Sequence, residues 1–242
     1  MISILNEFLL NKLGFILTRT RNVSPEKRMN VAIVRELTSI DLFVDIGANE
    51  GQTYQRIRSL SYTGRYLAIE PEVACFNKLS KIEINDGNFH ALQCAVGSKA
   101  DRVHLNVASN AASSSSILDL GNAHSQAAPD IKMIEIQSVN QLPLSHILRD
   151  YTANSAFVKI DVQGYELEVL KGMDVNVWNR VQALLIECNL VETYKDCSLI
   201  EEVFSLLRTR GFKPFRIENG FGTPNFGQQL QVDVLFTRAS KP

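Results

Sequence analysis

From about residue 40 onward, short apolar runs alternate with amphipathic stretches. DLFVDIG (41–47), RYLAIEP (65–71) and FHALQCAVG (89–97) are nearly continuous apolar runs. QTYQRIRSLSY (52–62) lies between the first two, and VACFNKLSKIEIND (73–86), with Phe76, Leu79 and Ile82 on one helical face, between the next two. Strands without polar alternation are buried on both faces, and helical connections make neighbouring strands parallel. The alternation resumes with AFVKIDV (156–162), ELEVLKGM (166–173), QALLIECN (182–189) and LIEEVFSLLRTRG (199–211), a helix that Gly211 closes. The last two strands, FKPFRIEN (212–219) and QLQVDVLFTR (229–238), have no helix between them, which predicts antiparallel pairing. In the middle, RVHLNVAS (102–109) and KMIEIQSV (132–139) alternate with a period of two and read as an inserted β-hairpin. The small, polar loop between them, 110–130, is either a linker or a lid. The pattern predicts an α/β fold with about seven main strands, mostly parallel with an antiparallel last strand.

Residues 1–30 follow a different pattern. Ile4, Leu5, Phe8, Leu9, Lys12, Leu13 and Ile16 suggest an amphipathic helix, and the segment carries more basic than acidic residues. We read it as an N-terminal extension to a domain spanning 31–242. It either packs on that domain or forms a dimer contact, or it docks on a membrane surface or a partner. The apolar stretch Phe8–Leu17 is broken by Asn11 and Lys12 and is too short to span a bilayer, and no cleavage-site pattern follows it. A cytoplasmic location is expected.

Composition narrows the function. The 242 residues are 45% hydrophobic and 21% charged, with a net charge of −1. A chain of that balance lacks the basic field that holds a phosphate backbone, which argues against a nucleic-acid partner. Cys75, Cys94, Cys188 and Cys197 form no CxxC pair, and the four histidines form no HExxH or HxH cluster. No metal site and no structural disulfide are expected.

The candidate chemistry gathers at strand ends. Asp45-Ile46-Gly47-Ala48-Asn49-Glu50-Gly51 closes the first strand with a G-x-x-x-G spacing, not the G-x-G-x-x-G of dinucleotide binding. Asp45 there favours a cationic or amine-bearing ligand over a phosphate; the plainer reading is a glycine turn whose N–H groups Asp45 satisfies. Glu70-Pro71 ends the second strand, 23 residues after Gly47, where an acid commonly accepts hydrogen bonds from a ribose diol. The alternative for Glu70 is an acid favoured at a helix N-terminus. Lys159 and Asp161 share a face at the end of AFVKIDV, and Lys159 is either functional or half of a structural ion pair. Glu166 and Glu168 read as first-turn helix acids, and Glu187 ends QALLIECN. Asp45, Glu70, Asp161 and Glu187 together would make an acidic crevice suited to a positively charged, ribose-bearing cofactor.

These residues resemble the FkbM-type family of S-adenosylmethionine-dependent methyltransferases. FVDIGANEGQT, YLAIEPE, ALQCAVGSKAD, NAASSSSIL, VKIDVQGYELEVLKGM and LLIECN carry the likeness, in that order, over roughly 40–190. The resemblance implies a Rossmann-like seven-stranded methyltransferase sheet and S-adenosylmethionine as cofactor. Gly47, Ala48 and Asn49, with Asp45 and Gly51 beside them, would hold its methionine part, Glu70 and Pro71 its ribose, and Cys94 and Ala95 its adenine. Ser138-Val139-Asn140 departs from the family's usual threonine-leucine-aspartate, so Asn140 receives no role. Gln163 stands where many members have glutamate.

The family mostly methylates hydroxyl groups, which implies an acceptor that is a small molecule or a glycan. Such a reaction asks the protein to align donor and acceptor and to help remove a proton. Asp161 is the leading candidate for that work, as a base or a cofactor ligand, with Glu187 and Lys159 beside it. Two other classes compete with an O-methyltransferase. One is a non-catalytic S-adenosylmethionine-binding scaffold. The other, a nicotinamide-dependent oxidoreductase, is weakened by the missing dinucleotide fingerprint.

Overall fold

The computed structural model describes residues 25–223 and 227–238. Helix α1 (Pro25–Leu37) leads into β1 (Leu42–Ile46), α2 (Gln52–Ser59), β2 (Arg65–Ile69), α3 (Val73–Asn85) and β3 (Phe89–Leu92). An inserted region follows, with β4 (Ala95–Val96), β5 (Asp101–Ala108), α4 (Asn122–Ala127) and β6 (Met133–Leu142). Helix α5 (Leu144–Ile147) and a 3₁₀ turn (Leu148–Asp150) return the chain to β7 (Ala156–Ile160), α6 (Glu166–Lys171), α7 (Val175–Arg180) and β8 (Val181–Asn189). The chain closes with α8 (Ile200–Thr209), β9 (Phe212–Asn219) and β10 (Gln231–Arg238).

Seven strands form one sheet in the order β3-β2-β1-β7-β8-β10-β9. Strands β3, β2, β1, β7 and β8 pair in parallel, and β10 runs antiparallel between β8 and β9. This is the expected Rossmann-like sheet with its antiparallel last strand. All five residues of β1 and of β7 are buried, which is why these strands read as unbroken apolar runs.

The two faces carry two cores. On one, Val44, Ile46, Val158, Ile160 and Ile186 pack with residues of α5–α8, including Ile147, Leu170, Trp178 and Leu207. On the other, Phe43 stacks between Tyr66 and Phe157 with ring centroids 4.9 Å away on each side. Met29, Ile33 and Leu37 of α1 join that second core at intervals of one helical turn.

The structure revises three expectations. The run FHALQCAVG divides at Gln93–Cys94: β3 stays in the main sheet, while β4 pairs in parallel with the end of β6. The insertion is therefore a three-stranded sheet, β4-β6-β5, not a simple hairpin. Short helices α4, α5 and α7 occupy segments that show no clear periodicity. The boundary expected after residue 30 falls inside α1, because Met29 is only 2% exposed and belongs to the second core. The amphipathic helix expected over Ile4–Ile16, with its membrane-surface and dimer readings, lies outside the described residues. A chain starting at residue 31 is expected to be about 2 kcal/mol or more less stable to urea than one starting at Pro25, the usual cost of removing a buried methionine from a core.

Candidate active site

The turn after β1 takes three residues into the left-handed region: Gly47 at φ 74°, Asn49 at 47° and Gly51 at 93°. A Cβ on Gly47 would stand 1.9 Å from the carbonyl oxygen of Asp161, so the turns after β1 and β7 interlock backbone against backbone. Gly51 has another task. A Cβ there would meet Leu79 and Ile82 of α3, and the residue lies off the cavity it was expected to line.

Below this turn sits a buried charge pair. In-register pairing of β1 and β7 sets Asp45 beside Lys159. Asp45 is fully buried; Tyr66 donates to it at 2.6 Å, and the Lys159 Nζ lies 3.1 Å away. Asp45 is thus a prop beneath the turn, neither on the cavity nor satisfying the turn's N–H groups. Lys159 Nζ also donates to the carbonyl of Gly47 at 2.8 Å and lies 3.4 Å from Asp161. Burial alone would lower the Lys159 pKa, but Asp161 and Asp45 outweigh it and hold it above its ordinary value. With three oxygen partners and a raised pKa, Lys159 is unsuited to accept a proton from substrate. Its geometry fits the ion-pair reading.

Above the strand ends lies a cavity of about 220 Å³. Gly47, Ala48 and Asn49 line one side, with Glu70 and Pro71 next to them. Glu70 accepts from the backbone N–H of Asn49 at 2.8 Å and of Glu72 at 2.9 Å. Burial pushes its pKa up to about 7, against the pull of those two N–H groups. Cys94 and Ala95 line the far end with Val96, Leu105 and Ile117, an apolar slot shared by the main sheet and the insertion.

Asp161 and Gln163 also line the cavity, beside the Gly47 turn. The Asp161 side chain keeps 36% of its surface exposed, unlike the sealed Asp45. Gln163 Nε2 donates to Asp161 Oδ1 and to Glu187 Oε2, both at 2.8 Å. Glu187 does not line the cavity; it stands behind Gln163, opposite Asp233 of β10. Burial, then the charge of Asp161, raises the Glu187 pKa well above the carboxylate range, and the same causes push Asp233 up to about 6. Glu166 is no ordinary first-turn acid. It is 1% exposed and accepts from the N–H groups of Val162 and Gly164, shaping the turn that presents Gln163. Glu168 accepts from Ser98 and Lys171 instead.

Two further contributors, the serine run and Tyr194, were not assigned as site residues from the sequence. Ser113, Ser115 and Ser116 wall the cavity, so the serine run covers the site and is not a bare linker. Ser116 donates to the Gln163 carbonyl at 2.7 Å, and Asn49 donates to that of Ala111 at 3.2 Å. Tyr194, fully buried, reaches Gln163 Oε1 at 2.7 Å. Only the serine run left a trace in the sequence pattern.

The lining fits S-adenosylmethionine: an apolar slot for a flat base, a buried carboxyl group for a diol, side-chain-free backbone at Gly47, and the half-buried carboxyl group of Asp161. Residues 45–214 match the family described as the Methyltransferase FkbM domain. Methyltransferase sdnD of Sordaria araneosa is 27% identical over 203 residues, covering 74% of this chain and 76% of that protein. Among solved structures, an rRNA methylase from Streptococcus thermophilus superimposes with a TM-score of 0.47 at 12% identity, covering 89% of this chain and 97% of the other. A precorrin-6y C5,15-methyltransferase from Geobacter metallireducens does so with 0.46 at 13% identity, covering 93% and 94%.

Proposed function

The chain belongs to the FkbM methyltransferase family, and from that premise we propose that it transfers a methyl group from S-adenosylmethionine to a hydroxyl oxygen of a sugar, a glycan or a secondary metabolite. Membership overturns the oxidoreductase reading. The observation that carries the proposal is one cavity lined by both the buried Glu70 and the half-buried Asp161. When bound, the cofactor's sulfonium supplies a methyl that needs no further activation. Glu70 accepts the ribose hydroxyls, the Gly47–Asn49 backbone takes the methionine end, and Cys94 and Ala95 border the adenine. Asp161 receives the acceptor's proton, or a hydrogen bond from it, as the oxygen takes the methyl. Lys159 holds Asp161 and the Gly47 carbonyl in one arrangement. The acidic surroundings of Asp161 support an uncharged acceptor over one bearing a phosphate backbone.

Methyl-labelled donor tested against neutral sugars, polyols, amines and thiols decides the acceptor chemistry. Label should appear as an alkali-stable methyl ether. Label confined to nitrogen, sulfur or carbon would overturn the hydroxyl assignment, and saturable cofactor binding without transfer to any acceptor would favour the scaffold reading.

Glu70 carries a pH prediction. Its folded pKa lies near 7, above the ordinary 4.5, so folding takes up a proton between those values. Its contribution to stability is therefore present at low pH and lost as pH rises through 7. Cofactor binding runs the other way, since accepting both ribose hydroxyls requires the ionised form. Calorimetry with S-adenosylhomocysteine should show affinity falling about tenfold per pH unit below 7. Glu70→Ala should weaken binding at pH 8 by about 1–3 kcal/mol and abolish that dependence.

A further inference from the structure

We propose that Gln163 is a positioning residue for methyl transfer: its side-chain amide, held by Tyr194, clamps Asp161 to Glu187, and Ser116 fixes that clamp to the serine loop over the cavity. The inference rests on the reading of Asp161 as the group that meets the acceptor hydroxyl.

Gln163 holds a left-handed backbone conformation, φ 56°, directly before Gly164 at φ 101°. A non-glycine residue there costs about 1 kcal/mol or more and persists only where its surroundings hold it. Three groups do so. Both N–H bonds of the amide point at carboxylates, 2.8 Å to Asp161 and 2.8 Å to Glu187. The amide oxygen faces the Tyr194 hydroxyl at 2.7 Å, and the backbone carbonyl takes the Ser116 hydroxyl at 2.7 Å. The single Tyr194 proton has a second acceptor, the Ser114 carbonyl at 3.2 Å, and the shorter contact to Gln163 is the better one. A flipped amide would set its oxygen against Asp161 Oδ1 and lose that hydrogen bond, so the partners set its orientation.

The clamp matters because of what surrounds Asp161. Glu166 from α6, Glu187 from β8, Asp233 from β10 and Tyr194 face it, and Glu218 of β9 lies beyond Asp233. Lys159 is the cation set against them, shared with Asp45, while Arg56 of α2 acts on Asp233. An amide supplies two donors at this point without adding charge. It fixes the direction of the Asp161 carboxylate. It also ties that direction to Ser116, hence to the wall of the cofactor cavity.

The test has two readouts. The first is carbon-detected NMR titration of the carboxyl groups in protein without added ligand. In Gln163→Ala the Glu187 carboxyl, already held high by burial, should titrate higher by about one pH unit, because its charged form loses the Gln163 donor. Tyr194→Phe should move it in the same direction by less. The second is turnover with whichever neutral sugar or polyol takes label in the assay above. Gln163→Glu should lower kcat at pH 7 about ten- to a hundredfold and move the acid limb of the rate profile upward by about one unit. S-adenosylhomocysteine affinity should stay within about threefold, since Gln163 is not assigned to the cofactor. Unchanged titration in Gln163→Ala, or a rate profile in Gln163→Glu matching the parent, would overturn the clamp. Loss of cofactor affinity with kcat intact at saturation would also overturn it, making Gln163 a cofactor contact. Should Gln163→Ala fail to fold, Gln163→Glu and Tyr194→Phe carry the same two readouts. Asp161→Asn separates the two levels. If it leaves turnover intact, the Asp161 reading fails and the clamp with it; if it lowers turnover while the Gln163 variants behave as the parent, only the clamp fails.

Discussion

Replacing Asp161 with asparagine is expected to lower turnover about a hundred- to ten-thousandfold, the usual worth of a positioned acid or base. Cofactor affinity should change little. The carboxamide is isosteric, and it keeps an oxygen near Lys159, whose Nζ lies 3.4 Å away. It cannot take a proton from an acceptor hydroxyl. It also turns either an oxygen or an NH2 toward Gln163 Nε2, and in the second case two donors meet. The rival assignment makes Asp161 a cofactor ligand, and then the same change should chiefly weaken binding of S-adenosylhomocysteine. Measuring kcat and that dissociation constant in one variant decides between them. Near-parental turnover would remove Asp161 from the reaction and leave Glu187, although its place behind Gln163 makes it a poor second candidate.

The second large effect is structural. Gly47→Ala would place a methyl group 1.9 Å from the Asp161 carbonyl oxygen and 2.9 Å from its carbonyl carbon, at a backbone φ of 74°. Neither partner is a side chain that swings away. The strand-end turns must separate, breaking the Asp161 N–H bond to Ile46 and the Lys159 bond to Gly47. Urea unfolding should show a loss of about 3 kcal/mol or more, with cofactor binding undetectable. Gly51→Ala is the informative control. It shares the positive φ, but its new methyl meets the flexible ends of Ile82 and Leu79. Its cost should be about 1–2 kcal/mol with binding retained. Equal losses in the two variants would mean that backbone conformation alone, and not the interlocked turns, sets the need for glycine at 47.

The main sheet was legible because burial on both faces writes itself as unbroken apolar runs. Strands β1, β7 and β8 match DLFVDIG, AFVKIDV and QALLIECN to within two residues. The break between β3 and β4 was not, since Ala91, Cys94, Ala95 and Val96 are all buried in a run that continues across it. The partner of β4 is β6, more than forty residues away, and no local pattern announces it. Helix α1 was cut in two because residues 1–30 were grouped by charge, while the packing of Met29 depends on where the sheet lies.

The site shows the same division. Strand-end position was readable, and Gly47, Ala48, Asn49, Glu70, Pro71, Cys94, Ala95 and Asp161 do line one cavity. Which carboxylates face it was not. Asp45 and Asp161 both sit at strand ends, yet one is sealed beneath the turn by its register with Lys159 and the other projects past the end of β7. Register between parallel strands is set by packing across the whole sheet and leaves no mark in either strand alone. Tyr194 acts through a hydrogen bond from an irregular segment, where neither spacing nor periodicity carries information, and the serine run was visible as a run without showing that it walls the cavity.

A crystal structure of the complex with S-adenosylhomocysteine tests the central claim most directly. The account predicts ribose hydroxyls within hydrogen-bond distance of Glu70, the homocysteine end over the Gly47–Asn49 backbone, adenine in the slot between Cys94 and Ile117, and the sulfur facing the Asp161 carboxylate. A ribose bound away from Glu70, or a sulfur turned away from Asp161, would contradict it.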